Sequence, residues 1–282
     1  MDRTFAFGRG TAPVCRLGLA TRGNTRLEPR DVHDALARGV NYLNWCGHPD
    51  GLSRAVAELG ARRKEVVLAW QLEASRADDA ARELDHALRE LGTSWIDVVT
   101  LYYVESEPEW AAIASPGGAL EALVRARDQG AVRLIGMTSH QRALAAGIAA
   151  GRVRAPGQRE ERPLDLLMLR YNAAHRGAEE DVFPVTDPLG IPVVAYTCLR
   201  WGALPRPTPD DPPGFRPPAP REWYRFALAH PSVAVAICAP DGREELDHDL
   251  SLLDDWRPPA PEERRILAEH GDRVRRLAGA FP

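Results

Sequence analysis

Eight short apolar runs alternate with longer amphipathic segments along this chain, and that alternation restricts its fold more than any other feature. The runs are Arg16–Thr21, Val40–Asn44, Val66–Gln71, Ile96–Tyr102, Val132–Met137, Leu164–Tyr171, Val193–Tyr196 and Ala234–Cys238. Helical patterns are predicted over Pro29–Arg38, Gly51–Leu59, Ala77–Leu91, Gly118–Gln129, Gln141–Ala150, Glu179–Leu189, Trp223–Ala229 and Gly242–Leu253, with a closing helix over Pro261–Ala280. Glu28 and Asp31 stand at the start of the first of these, and Gly39 and Gly92 just past the ends of two of them, where helices begin and stop. Strands that alternate with helices at this spacing form a parallel sheet. Eight such units closing on themselves give an α/β fold of the (β/α)8 TIM-barrel type, and 282 residues suit a barrel that needs about 250. An open doubly wound sheet is the alternative. It would carry a glycine-rich phosphate turn after the first strand, whereas residues 20–26 read ATRGNTR.

Composition narrows the function classes. Hydrophobic residues make up 44% and charged residues 27%, which fits a soluble chain with a sizeable core. The formal net charge is −4 and no basic stripe stands out, so nucleic acid is not an expected partner. Apolar runs such as Val233–Cys238 are far too short to span a bilayer. The first ten residues, MDRTFAFGRG, lack the apolar core of a secretory signal. Cys15, Cys46, Cys198 and Cys238 are scattered without a CxxC pair, which argues against a metal site or a disulfide framework and for free thiols in a reducing cytoplasm. Nothing marks an internal domain boundary, so one domain over 1–282 is expected. Two segments break the rhythm: the polar Arg152–Arg162 and the proline-rich Leu204–Arg221. Proline lacks an amide N–H, so the second is a loop, either a lid over the barrel mouth or a solvated excursion.

Several segments carry a specific resemblance. They are Gly39–Asn44 (GVNYLN), Gly130–Gly136 (GAVRLIG), Tyr171–Arg176 (YNAAHR) with the following Glu179-Glu180-Asp181, Gly190–Tyr196 (GIPVVAY) and Ala229–Ile237 (AHPSVAVAI), and Gly8–Thr11 is similar to an opening hairpin turn. In order and in register, these resemble the aldo-keto reductases. The resemblance implies a barrel with an N-terminal hairpin and a C-terminal helix, reduction of a carbonyl by NADPH, and a monomer as the default state. It also implies chemistry at the C-terminal strand ends, run by an Asp, a Tyr acid, a Lys and a His.

All four positions are changed. The Asp falls on Asn44, the Tyr on Pro49 with His48 beside it, the Lys on Gln71 and the His on Tyr102. Asp and Lys would form a buried ion pair, and removing one partner alone costs about 3–5 kcal/mol. Replacing both lets Asn44 and Gln71 bond to each other as neutral amides. The cofactor positions that the resemblance implies read Thr138, Ser139 and Met168 against the nicotinamide amide, Tyr196 as its stacking floor, and Arg243 near the adenosine phosphate. Asp241 and Glu245 would repel a phosphate, so NAD is as plausible as NADP, and Asp249 stands where the family carries Asn.

His48 and Tyr102 are the candidate replacement acids. A histidine is better suited to acid work near neutrality than a tyrosine without its lysine. Each has a plainer reading, as a loop histidine and as a pocket-filling aromatic. Cys46 is read as a small buried side chain rather than a nucleophile, and His140 as a ligand contact or a neighbour of a Ser139 cap. Trp45 and Trp70 pack or stack, and Arg170 points into the mouth or into a salt bridge. Two functions follow: an oxidoreductase with a non-standard site acting on a small carbonyl compound with NADP or NAD, or a redox-inactive barrel that binds a ligand or runs a cofactor-free isomerisation or elimination.

Overall fold

The computed structural model describes residues 1–22 and 25–277. Gly23 and Asn24 of the first strand-to-helix turn, and residues 278–280 of the expected closing helix, lie outside the described residues. A short antiparallel hairpin, β1 (Thr4–Phe5) and β2 (Val14–Cys15), precedes eight parallel strands. These are β3 (Leu17–Ala20), β4 (Tyr42–Trp45), β5 (Val67–Leu72), β6 (Ile96–Leu101), β7 (Val132–Ser139), β8 (Leu166–Arg170), β9 (Val193–Tyr196) and β10 (Val233–Cys238). They pair in chain order, and β10 closes on β3 to complete the barrel.

Each strand is buried on both faces, which is why its sequence reads as a continuous apolar run. Tyr42, Val67, Ala69, Val98, Leu134, Met168 and Val235 fill the barrel interior. Leu43, Leu68, Val99, Ile135 and Leu167 face outward beneath the helices. Around the barrel run α1 (Pro29–Ala37), α2 (Gly51–Glu58), α3 (Ala77–Glu90), α4 (Glu107–Ala114), α5 (Ala119–Asp128), α6 (Arg142–Ala149), α7 (Ala178–Asp181), α8 (Phe183–Thr186), α9 (Pro220–Leu228), α10 (Arg243–Leu250) and α11 (Pro261–Leu277). At the start of α1, Asp31 Oδ2 accepts from the Glu28 N–H at 2.9 Å. Gly39 ends that helix at φ +94°, a conformation that costs glycine nothing.

The barrel and the hairpin agree with the sequence expectation, and most strand bounds agree within one or two residues. Three helical segments differ. The stretch Glu179–Leu189 is broken into α7, α8 and a 3₁₀ turn, because Pro184 and Pro188 supply no N–H to a continuous helix. The helix before β10 starts at Pro220, three residues earlier than expected, since proline's fixed φ suits the first helical position. And α4 lies in what reads as a loop. Apolar residues continue between its buried Trp110, Ile113 and Ala114, so no polar face marks it, but Ser106 accepts from the Glu109 N–H as an N-cap and Pro108 opens the first turn.

The proline-rich segment is packed against α11 rather than running free in solvent. Asp211 Oδ1 accepts from Arg273 Nε at 2.7 Å and lies 3.0 Å from His270 Nδ1, while His270 Nε2 sits 3.0 Å from the Leu204 carbonyl. His270 is fully buried. The helix also presses on the segment after β8: a Cβ at Gly271 would lie 2.3 Å from the Ala173 carbonyl oxygen. Gly271→Ala is therefore expected to destabilise the fold by about 3 kcal/mol, the upper part of the overpacking range, read as a lower midpoint in urea with an unchanged slope.

Candidate active site at the barrel mouth

Strand register decides which side chains meet at the C-terminal end of the barrel. Asn44 pairs with Ala69, Gln71 with Thr100, Thr138 with Met168, and Arg170 with Tyr196. Side chains alternate faces along a strand. Asn44, Gln71, Thr138, Arg170 and Tyr196 therefore share the interior set with Met168 and end at the mouth.

The sequence expectation of an Asn44–Gln71 amide pair is not met. Gln71 Nε2 reaches across to Met168 Sδ at 3.8 Å. Asn44 is buried, and its Oδ1 has no hydrogen-bond partner. A long Gln side chain can span to the soft thioether opposite, which leaves the shorter Asn44 amide facing the mouth. His48 is exposed, and its backbone carbonyl accepts from Trp45 Nε1 at 2.8 Å. Tyr102 is 40% exposed at the rim. Trp45 and Trp70 are buried in packing. Tyr171 points away from the mouth, donating to Glu179 Oε1 at 2.6 Å. Burial raises the Cys46 thiol, so it is not an activated nucleophile.

What the fold does assemble is an aromatic and cationic cluster. Tyr103 stacks on His140 with ring centres 4.5 Å apart and planes at 17°. It also contacts Tyr102 at 4.3 Å and meets Tyr196 edge-on at 6.5 Å. Glu105 fixes the histidine: Oε1 accepts from the His140 backbone N–H at 2.7 Å and lies 3.3 Å from Nδ1. Arg170 is 6% exposed at the end of β8, with its guanidinium 5.6 Å from the Trp201 ring. Arg200 lies 4.8 Å from the same ring.

Charge in this cluster is tuned by burial first. Burial lowers His140, Arg170 lowers it further, and Glu105 opposes both. Burial, followed by Arg170, Arg200, Arg275 and Arg142, pushes His175 down to about 4. Burial and then Tyr103 hold the Tyr196 hydroxyl far above the ordinary tyrosine range. The Tyr103 hydroxyl is also raised by burial, with Tyr196 and Arg170 pulling it back.

Backbone strain collects in the same place. Among the described residues, four non-glycine residues have positive φ: Arg9, Tyr103, Arg200 and Trp201. Three of them belong to the mouth. Each left-handed residue costs roughly 1–2 kcal/mol, and such strain persists where neighbouring structure enforces it, often at functional sites. Tyr103 is held by its N–H donating to Thr138 Oγ1 at 2.7 Å. Arg200, Trp201 and Gly202 form a left-handed run after β9.

Nicotinamide contacts can be tested residue by residue. Thr138 Oγ1 accepts from the Tyr103 N–H and donates to the Leu101 carbonyl, so its proton is committed within the barrel. Ser139 Oγ is occupied by the Gln141 N–H at 2.9 Å and the Gln141 carbonyl. That turn contact also replaces the expected helix cap. Met168 brings a thioether where an amide is implied. Arg243 is surrounded by Asp31, Asp34 and Asp247, with Asp34 Oδ2 at 2.5 Å. Hydrogen bonds to Asp247 and then Asp34 hold its charge. Tyr196 alone keeps the place the resemblance implies. These side chains do not fit a nicotinamide dinucleotide bound in the family's manner.

Sequence reasoning left His140 between a ligand contact and a place beside a helix cap, and Arg170 between the mouth and a salt bridge; it gave no role to Tyr103, Glu105, Arg200, Trp201 or His175. The one available signal was Arg200-Trp201-Gly202 directly after β9, a turn that ends in glycine.

The comparisons with known proteins agree with this architecture. An aldo-keto reductase from Bacillus halodurans in its holo form superposes with a TM-score of 0.70 at 19% identity, covering 96% of each chain. An aldo-keto reductase from Klebsiella pneumoniae in complex with NADPH superposes with a TM-score of 0.73 at 18% identity, again over 96% of each chain. Among the described residues, no helix is long and apolar enough to cross a membrane. The profile of the aldo/keto reductase family matches residues 16–223, and this chain therefore belongs to that family, on its oxidoreductase barrel.

Proposed function

We propose that this member of the family acts on the carbonyl group of a small molecule by acid–base chemistry at the rebuilt mouth, with His140, Glu105, Tyr103 and Arg170 in place of the usual tetrad. The observation that carries this reading is the His140–Glu105 pair stacked on a strained Tyr103. Glu105 engages Nδ1 and fixes the ring, and Nε2, buried within the cluster, is the atom that would exchange a proton with a substrate seated at the mouth. Because burial and Arg170 keep the imidazole neutral, it acts as a base. It takes a proton from the carbon beside the carbonyl. Arg170 stabilises the charge that develops on the oxygen. The protonated base exchanges its proton with solvent, and a proton is then returned at a different position, so the net reaction is an isomerisation with no redox change.

A second reading is NAD(P)H-dependent carbonyl reduction, the chemistry of a reductase with a substituted proton donor. Tyr196 favours it by keeping the stacking position, and so does the similarity to a reductase solved with NADPH. One experiment separates the two. Melting curves and fluorescence with NADPH and NADH at millimolar concentration are expected to show no shift, while α-carbon deuterium incorporation into a panel of small ketones and aldehydes proceeds in D2O. His140→Gln is expected to lower that exchange by roughly 10²-fold or more, with the acid limb of the rate falling below the ordinary histidine pH of about 6.5. Cofactor binding accompanied by hydride turnover would establish the second reading instead. A loss in His48→Ala without one in His140→Gln would move the base to His48.

A further inference from the structure

Asn44 is a polar side chain that the fold itself does not use. It is 5% exposed at the mouth end of β4, and its Oδ1 has no hydrogen-bond partner among the described residues. Across the ladder it pairs with Ala20 of β3 and Ala69 of β5, and Gln71, the next inward side chain of β5, reaches away to Met168. A buried amide oxygen without a donor destabilises a protein, and an apolar side chain of the same shape would not. Stability therefore gives no reason for an asparagine here. In the closed order of strands, β4 lies opposite β8, with three strands between them on either side. Asn44 thus faces across the mouth to the ends of β7 and β8, where His140 and Arg170 stand.

The acid–base reading adds a chemical requirement. A proton taken from the carbon beside a carbonyl returns to a different carbon only where the substrate offers one. An adjacent hydroxyl provides it through an ene-diol, and so does an adjacent C=C bond. Asn44 decides between the two. An unsaturated hydrocarbon skeleton would leave its amide unmatched, whereas a hydroxyl both donates and accepts and so satisfies the amide whichever way it is turned. We propose that Asn44 is a substrate-binding residue and that the substrate is a small α-hydroxy carbonyl compound, its hydroxyl bonded to the Asn44 amide and its carbonyl toward β7 and β8. His140 Nε2 takes the proton from the hydroxyl-bearing carbon, the C–H electron pair forms a C=C bond, and the carbonyl oxygen takes a proton. The hydroxyl then loses its proton, its electron pair forms the new C=O bond, and the former carbonyl carbon takes a proton. Two protons leave the substrate and two return, so no oxidant or reductant is needed. The reaction rests on the acid–base reading, but recognition of the hydroxyl is measured by binding alone.

The test compares hydroxyacetone with butanone, which has the same shape and a methyl in place of the hydroxyl. In titrations of the full chain followed by ligand NMR, hydroxyacetone is expected to bind about tenfold or more tightly than butanone. Asn44→Leu, close in shape to the amide, is expected to remove that preference. The melting temperature of Asn44→Leu should be unchanged or raised, because no bond of the fold is lost; a structural role for the amide would lower it. Wild-type protein should also convert hydroxyacetone to lactaldehyde without added cofactor. Absence of hydroxyacetone binding, equal affinity for the two ketones, a preference that survives in Asn44→Leu, or a lower melting temperature in that variant would each overturn the proposal for Asn44. If the preference is present and is lost in Asn44→Leu while no lactaldehyde forms, recognition of the hydroxyl stands and only the acid–base reading falls.

Discussion

Asp249→Asn is expected to raise the melting temperature by roughly 8 °C at about pH 8 and to leave it unchanged at about pH 4. Asp249 lies on α10 and is only 3% exposed. Burial pushes its carboxyl up to about 7; the Tyr224 hydroxyl, donating to Oδ2 at 3.2 Å, opposes that and Glu245 adds to it. An unfolded aspartate titrates near 3.9. Between those two values the folded state holds a proton that the unfolded state has released. Stability is therefore intact below about pH 4, falls as pH rises toward 7, and stays reduced above it. A gap of about three units corresponds to roughly 4 kcal/mol at most. Asparagine has no charge to bury, and its carbonyl can accept the same Tyr224 bond. Asparagine is also what the family resemblance implies at this position. Calorimetric melts at the two pH values check the expectation. An equal shift at both would mean that packing, not ionisation, separates the two side chains.

The barrel was legible because its signal is redundant. Every strand is apolar on both faces, so runs such as Val132–Met137 stand out without any alignment, and the register of eight of them is fixed by closure. Short or broken helices were less legible. The stretch containing α7 and α8 carries a helical pattern, yet two prolines divide it. In α4 the buried Trp110, Ile113 and Ala114 fall at helical spacing, but Ala111 and Ala112 between them are apolar too, so no polar face sets the helix off. The site divides in the same way. Asn44, Gln71 and Tyr102 could be placed because each sits at a fixed offset on a strand. Their loss of the usual chemistry was readable from identity alone. What replaced that chemistry was not. Glu105 meets His140 across thirty-five residues of sequence. The left-handed backbone at Arg200 and Trp201 has no residue type that announces it. Gln71 could be paired with Asn44 by chemistry, but only the width of the barrel shows that Met168 is the partner it reaches.

Asp97→Ala is expected to destabilise the protein by about 3–5 kcal/mol, the cost of leaving buried cations without their anion, and to lower the melting temperature by on the order of 10 °C. Asp97 is fully buried at the N-terminal end of β6, opposite the mouth. Its Oδ2 accepts from the Leu68 N–H at 3.0 Å and from Arg63 Nη2 at 2.8 Å, and its Oδ1 from Arg133 Nη1 at 2.6 Å and Trp95 Nε1 at 3.3 Å. Arg63 and Arg133 both lie over the Trp95 ring, at 4.6 and 5.1 Å. Removing the carboxylate leaves two like charges on one indole and an unpaired strand N–H, so each loss compounds the other. Arg63→Met alone should also destabilise, because it strands the Asp97 charge. The double variant should lose less than the sum of the two singles, since Asp97 and Arg63 are then removed together and only Arg133 is left without its anion. Additive losses in thermal or urea melts would show that the pair is not coupled. Deuterium exchange, measured below the lowered melting temperature, should be unaffected in all three variants. In this barrel one end holds charge for stability and the other carries the candidate site, and a change at Asp97 should move the first without the second.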